Sequence, residues 1–126
     1  MNIWLDDIRN PVAFGRLGYK WVKTAQEVID YLKNGQVDKL SLDHDLGACD
    51  DCMRPYNGDP EEWLTWHGGM AMPNCEHIGT GYDVVLWLEQ NPDKWPAIKP
   101  QVHSANPVGR ARMQRVIDLH YAKANQ

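Results

Sequence analysis

Three short apolar runs, each cut off by a polar cluster, constrain this chain more than any other feature. Asn2-Ile3-Trp4-Leu5 leads into Asp6-Asp7-Ile8-Arg9-Asn10-Pro11. Lys39-Leu40-Ser41-Leu42 leads into Asp43-His44-Asp45, and the run from Ile98 to Val102 leads into His103-Ser104-Ala105-Asn106-Pro107. Each run has the length of a buried parallel strand and is too short for a helix. In an open α/β sheet, ligands bind beyond the carboxyl ends of the strands. The three clusters are therefore expected to converge on one crevice. Four aspartates (Asp6, Asp7, Asp43, Asp45), two histidines (His44, His103), Ser104 and Arg9 gathered there point to chemistry on phosphate or at a metal.

The 126 residues suit a single domain, 1–126, with one core. A net charge of −4 argues against a protein that holds duplex nucleic acid by broad phosphate neutralisation. A small nucleotide or a nucleic-acid end remains compatible with it, because a bound cation supplies positive charge locally. No apolar stretch approaches the ~20 residues that span a membrane, and no segment reads as a signal peptide. These features predict a cytoplasmic protein that works away from membranes. Its cysteines, Cys49, Cys52 and Cys75, are then expected to be thiols or metal ligands rather than disulfides. Six tryptophans against one phenylalanine imply either bulky core packing or exposed aromatic platforms.

Between the clusters the chain alternates strand and helix signals. Gly18 to Val22 reads as a second strand. Thr24-Ala25-Gln26-Glu27 has the form of a capping box and opens a helix through Leu32, with Gly35 as its stop. Thr80-Gly81-Tyr82-Asp83 opens another helix, which Pro92 and Pro96 end. Asn106-Pro107 opens a last helix that carries Met113, Val116, Ile117, His120 and Tyr121 on one face. The fold class predicted is α/β: a parallel sheet of about four strands with helices on both faces. Residues 46–79 break this rhythm with an irregular Cys/His-rich insert.

At these residues the chain resembles a receiver domain of flavodoxin-like type. An acidic pair follows the first strand, an aspartate ends the third, and a serine ends the next. It departs from ordinary receivers in having no counterpart of the fifth strand and its lysine, and in adding His44, Asp45 and His103. Those departures resemble a narrower family, the cyclic-phosphate processing receiver domains. Leu5 to Pro11, Ser41 to Gly47 and His103 to Pro107 match that family's motifs in order. The resemblance implies a phosphoesterase that opens a cyclic phosphate, on a cyclic nucleotide or at a 2′,3′-cyclic RNA end.

By that resemblance Asp6, Asp7 and Asp43 would hold a divalent ion, and hard carboxylate oxygens suit Mg²⁺ or Mn²⁺. His44, Asp45 and His103 would serve acid–base chemistry together with Asp43. Ser104, Asn106 and Arg9 would meet phosphate oxygens. Against this stands the plain reading that an Asp after a strand caps or shapes a loop, and that Asn106 is simply an N-cap.

In the insert, Cys49-x-x-Cys52 with Cys75 and His77 (or His67 as the fourth ligand) has the composition of a structural Zn²⁺ site. Trp66, with Trp63, is positioned in sequence to stack on a base or to pack the insert onto the domain. Two other functions fit the same residues. One is a module that sequesters a cyclic nucleotide without turnover. The other is a divergent phosphorelay receiver phosphorylated on Asp43.

Overall fold

The structure is a computed structural model that describes residues 1–47, 75 and 77–124. Its strands are β1 (Asn2–Leu5), β2 (Tyr19–Val22), β3 (Lys39–Leu42) and β4 (Gln101–Val102). Its α-helices are α1 (Ala25–Lys33), α2 (Gly81–Gln90) and α3 (Pro107–Ala124). The strands form a parallel sheet in the order β2-β1-β3-β4. Asp6, Asp43 and His103 each follow the last residue of a strand, at the same end of that sheet.

Local chemistry explains where each element begins. The Thr24 hydroxyl accepts a hydrogen bond from the Glu27 N–H at 3.3 Å and caps α1. The Asp83 carboxylate reaches back to the Thr80 N–H at 2.8 Å at the start of α2. The Asn106 side chain accepts from the Gly109 N–H at 3.1 Å, and Pro107 takes the first helical position of α3. β1 and β3 have the expected boundaries, and β2 starts one residue later than Gly18. The fourth strand is two residues long instead of five: Pro100 has no N–H to give to a ladder, and Ile98 is exposed rather than buried.

Alternation along the strands divides the sheet into unlike faces. Ile3, Leu5, Val22, Leu40 and Leu42 share one buried cluster with Val28, Ile29 and Leu32 of α1, Val84, Val85 and Leu88 of α2, and Met113 and Ile117 of α3. All three α-helices therefore pack on this one face, not on both faces as expected, because the connection from β1 to β2 is a 3₁₀ turn rather than an α-helix. The opposite face carries Trp4 and Ser41, which are register partners. It is crossed by a 3₁₀ turn, Pro11–Phe14, whose Phe14 ring stacks on Trp4 at 5.8 Å. That turn begins as Asn10-Pro11 does in sequence: the Asn10 side chain accepts from the Val12 N–H, and Pro11 follows it.

Of the 46–79 insert, only its two ends are described. They are tied together by the Cys75 N–H, which donates to the Gly47 carbonyl at 3.3 Å. Cys49, Cys52, His67, Trp63 and Trp66 lie outside the described residues, and of the expected zinc set only Cys75 and His77 are described. Among the described residues, no helix is long and apolar enough to cross a membrane.

Gly81 lets α2 begin against the site. A Cβ there would collide with the Asp43 carbonyl oxygen and would lie 2.8 Å from Met113 Cε. Gly81→Ala is expected to destabilise the fold by roughly 1–3 kcal/mol through overpacking, read as a lowered midpoint in urea denaturation.

Candidate functional site

Asp6 is the innermost acid. It is fully buried, and its Oδ1 accepts from the N–H groups of Ile8 (3.0 Å) and Arg9 (2.9 Å). The chain therefore turns around this carboxylate directly after β1. Its other oxygen, Oδ2, lies 3.1 Å from His103 Nε2. Ligand oxygens of Asp6, Asp7 and Asp43 all fall within 4.8 Å of one another. The three acids expected to act as a set are thus brought together by the ends of β1 and β3.

That crowding is written into their protonation. Burial, and then the neighbouring Asp6 carboxylate, push Asp43 up to about 6, although hydrogen bonds from the His44 N–H and Ser104 hold it lower than it would otherwise be. Asp7 is also raised, first by burial and further by Asp6. Three carboxylates with oxygens this close, two of them reluctant to ionise, are a donor set whose repulsion a hard divalent cation relieves. The residues present fit such an ion.

His103 is held on every side. Its ring stacks on that of Trp4, 3.7 Å between centroids and 4° from parallel. Its Nδ1 meets the Ser41 hydroxyl at 2.8 Å, while Nε2 meets Asp6. Burial lowers its pKa below the ordinary histidine value, which keeps the ring neutral near pH 7. A neutral imidazole has one N–H, and the carboxylate at Nε2 claims it. Ser41 then donates to Nδ1. With both nitrogens engaged, His103 steadies Asp6. The Arg9 guanidinium adds a 3.1 Å hydrogen bond to the His103 carbonyl, and Trp4 Nε1 donates to the Arg9 carbonyl at 2.9 Å.

The second histidine is built differently. His44 Nδ1 is 2.9 Å from Asp45 Oδ1, and Asp45 also accepts from Asn106 Nδ2 at 3.2 and 3.4 Å. The His44 ring lies against Gly109, where a Cβ would fall 2.9 Å from Nδ1 and nearer still to the ring carbons. Ser104 is buried, bonds to Asp43, and accepts the Asn106 N–H at 3.1 Å. Ser104 and Asn106 therefore spend their side chains on bracing Asp43 and Asp45. A cleft of about 230 Å³ opens between Asp7, Arg9, Asp43, Asp45 and Asn106.

Sequence reasoning did not find Ser41, Trp4 or Gly109. Ser41 had a legible signal, since a hydroxyl in the middle of a buried strand needs a partner. Trp4 and Gly109 read as ordinary packing residues.

A family model described as the cyclic-phosphate processing receiver domain matches residues 1–119. The chain belongs to that family. The matched range spans all three strand ends that gather Asp6, Asp43 and His103. Neither a search of curated proteins nor a search of solved structures returned a match.

The raised Asp43 has a consequence for stability. Its ordinary value is 3.8 and its value in the fold is about 6, so the folded state holds this proton more tightly than the unfolded chain does. Stability associated with Asp43 is complete below 3.8 and is lost as pH rises through about 6. In EDTA, Asp43→Asn is expected to melt higher than wild type at pH 7.5, and the advantage should vanish by pH 4. Thermal melts of both proteins across that range check it.

Proposed function

We propose that this receiver-like domain is a metal-dependent phosphoesterase that opens cyclic phosphates on nucleotides or at 2′,3′-cyclic RNA ends. The observation that carries the reading is the convergence of the Asp6, Asp7 and Asp43 oxygens within 4.8 Å, beside a cleft where Arg9 is the only lining cation among the described residues. These acids would hold Mg²⁺ or Mn²⁺, which when bound polarises a phosphate oxygen and acidifies a water. Membership of a family described by cyclic-phosphate processing supports the substrate class.

The chain's own residues then divide the work. Arg9 faces the cleft and pairs with a phosphate oxygen. Asp45 lines the cleft and orients His44 through Nδ1, and this pair would supply the acid–base group. A water attacks phosphorus, one P–O bond of the ring breaks, and the freed ribose oxygen takes up a proton. The product is a phosphomonoester, with one water consumed. His103 and Ser41 act on the reaction through Asp6.

In ³¹P NMR with 2′,3′-cyclic AMP, wild-type protein should convert the cyclic resonance to monoester with Mg²⁺ or Mn²⁺ and not with EDTA. Asp7→Asn should lower the rate at least a hundredfold. A shifted resonance without conversion would instead assign the protein to sequestration, and phosphorylation of Asp43 by acetyl phosphate would assign it to a phosphorelay.

Ser41→Ala tests the support of Asp6 separately. Removing the hydroxyl frees His103 to turn away from the carboxylate, and half-saturation by Mg²⁺ should rise about tenfold. Tryptophan fluorescence during a Mg²⁺ titration reads it.

A further inference from the structure

The acid cleft is small for the substrate it is asked to hold. Its volume is about 230 Å³ among the described residues, below the ~300–1,000 Å³ of pockets that enclose a small organic ligand. It has room for a phosphate and an ion and little for a base and ribose.

A larger cleft, about 650 Å³, opens on the thinly covered face of the sheet. His103 lines it and meets Asp6 of the acid cluster through Nε2 at 3.1 Å, so this cleft borders the acid cluster. Phe14 is 56% exposed and backed by Trp4, and the Phe14–Trp4–His103 rings form a continuous stack. An exposed aromatic ring over a stacked partner is a platform for a planar base.

Two cations stand beside it, Arg16 and Lys99, and the described lining contains no carboxylate. Arg16 lies over the Tyr19 ring at 5.9 Å and donates to Gln101 Oε1 at 2.9 Å, so its guanidinium is already oriented. Lys99 is paired with Asp118 at 2.6 Å, but both are about half exposed, and such pairs exchange partners at little cost.

We propose that this cleft is the nucleoside subsite of the same substrate. The base lies on Phe14, and Arg16 with Lys99 meets the phosphate on its 5′ side. This rests on the cyclic-phosphate reading above and extends it from a reactive group to a nucleotide with a 5′-phosphate.

Two measurements test it and keep the two readings apart. The first is an ¹⁵N-HSQC titration in EDTA with 5′-AMP, which has no cyclic phosphate. Shifts should appear at residues 14–16 and 101–103, in wild type and in Asp7→Asn alike. No shifts, or shifts confined to residues 7–9 and 43–47, overturn the subsite. The second is turnover of 2′,3′-cyclic AMP 5′-phosphate by Phe14→Leu and Arg16→Ala. Each should raise KM about tenfold, as expected for one lost stacking or phosphate contact, with kcat within about twofold. Turnover with KM unchanged in both variants overturns the subsite and leaves the phosphoesterase standing. Absence of turnover together with 5′-AMP shifts at Phe14 and Arg16 supports the subsite and removes the hydrolytic reading.

Discussion

A carboxylate sealed from solvent at the end of the first strand governs the rest of this molecule. Burying an ionised acid is costly unless hydrogen bonds replace its water. Asp6 obtains them from two backbone N–H groups in the turn that follows it and from His103, nearly a hundred residues away in the chain. The turn after β1, the close approach of β4, the stack of His103 on Trp4 and the hydroxyl of Ser41 all serve that one group. Asp7 and Asp43 then sit beside an acid that cannot move away from them, and its charge adds to the burial that already raises their pKa values.

The same arrangement holds its two histidines in different ways. His103 is locked on both nitrogens and kept neutral by burial, so its contribution is mechanical. His44 is oriented through one nitrogen by Asp45, which is itself braced by the N-cap of α3. Two histidines that look equivalent in sequence thus differ in kind, because one follows an edge strand and packs flat on an indole while the other lies over a glycine.

Much of this was legible in the residues. Strands that end in Asp or His, and helices that open with Thr or Asn-Pro, are written locally, and β1, β3 and all three α-helices begin where those signals stand. What was not legible depends on pairing across the sheet. Nothing near Ser41 shows that His103 lies beside it, and nothing near Trp4 shows that its ring will be sandwiched. The length of β4 was overread because apolar residues around Pro100 mimic a strand whose backbone cannot form the ladder. The Asn10-Pro11 signal for a 3₁₀ turn was present but was absorbed into the site motif. The unequal covering of the two faces could not be read either, since it follows from which side each connection crosses.

The abbreviated β4 also governs how the sheet meets other chains. A parallel edge of several residues would offer a row of unpaired N–H and C=O groups on which another strand could build. Here the edge is two residues long, its approach runs through a proline that lacks a donor, and the Arg16 side chain reaches across to Gln101. The sheet of the described residues therefore ends on that side with a deficit of backbone donors. Growth by edge-to-edge association is blocked at the same margin that leaves the site open.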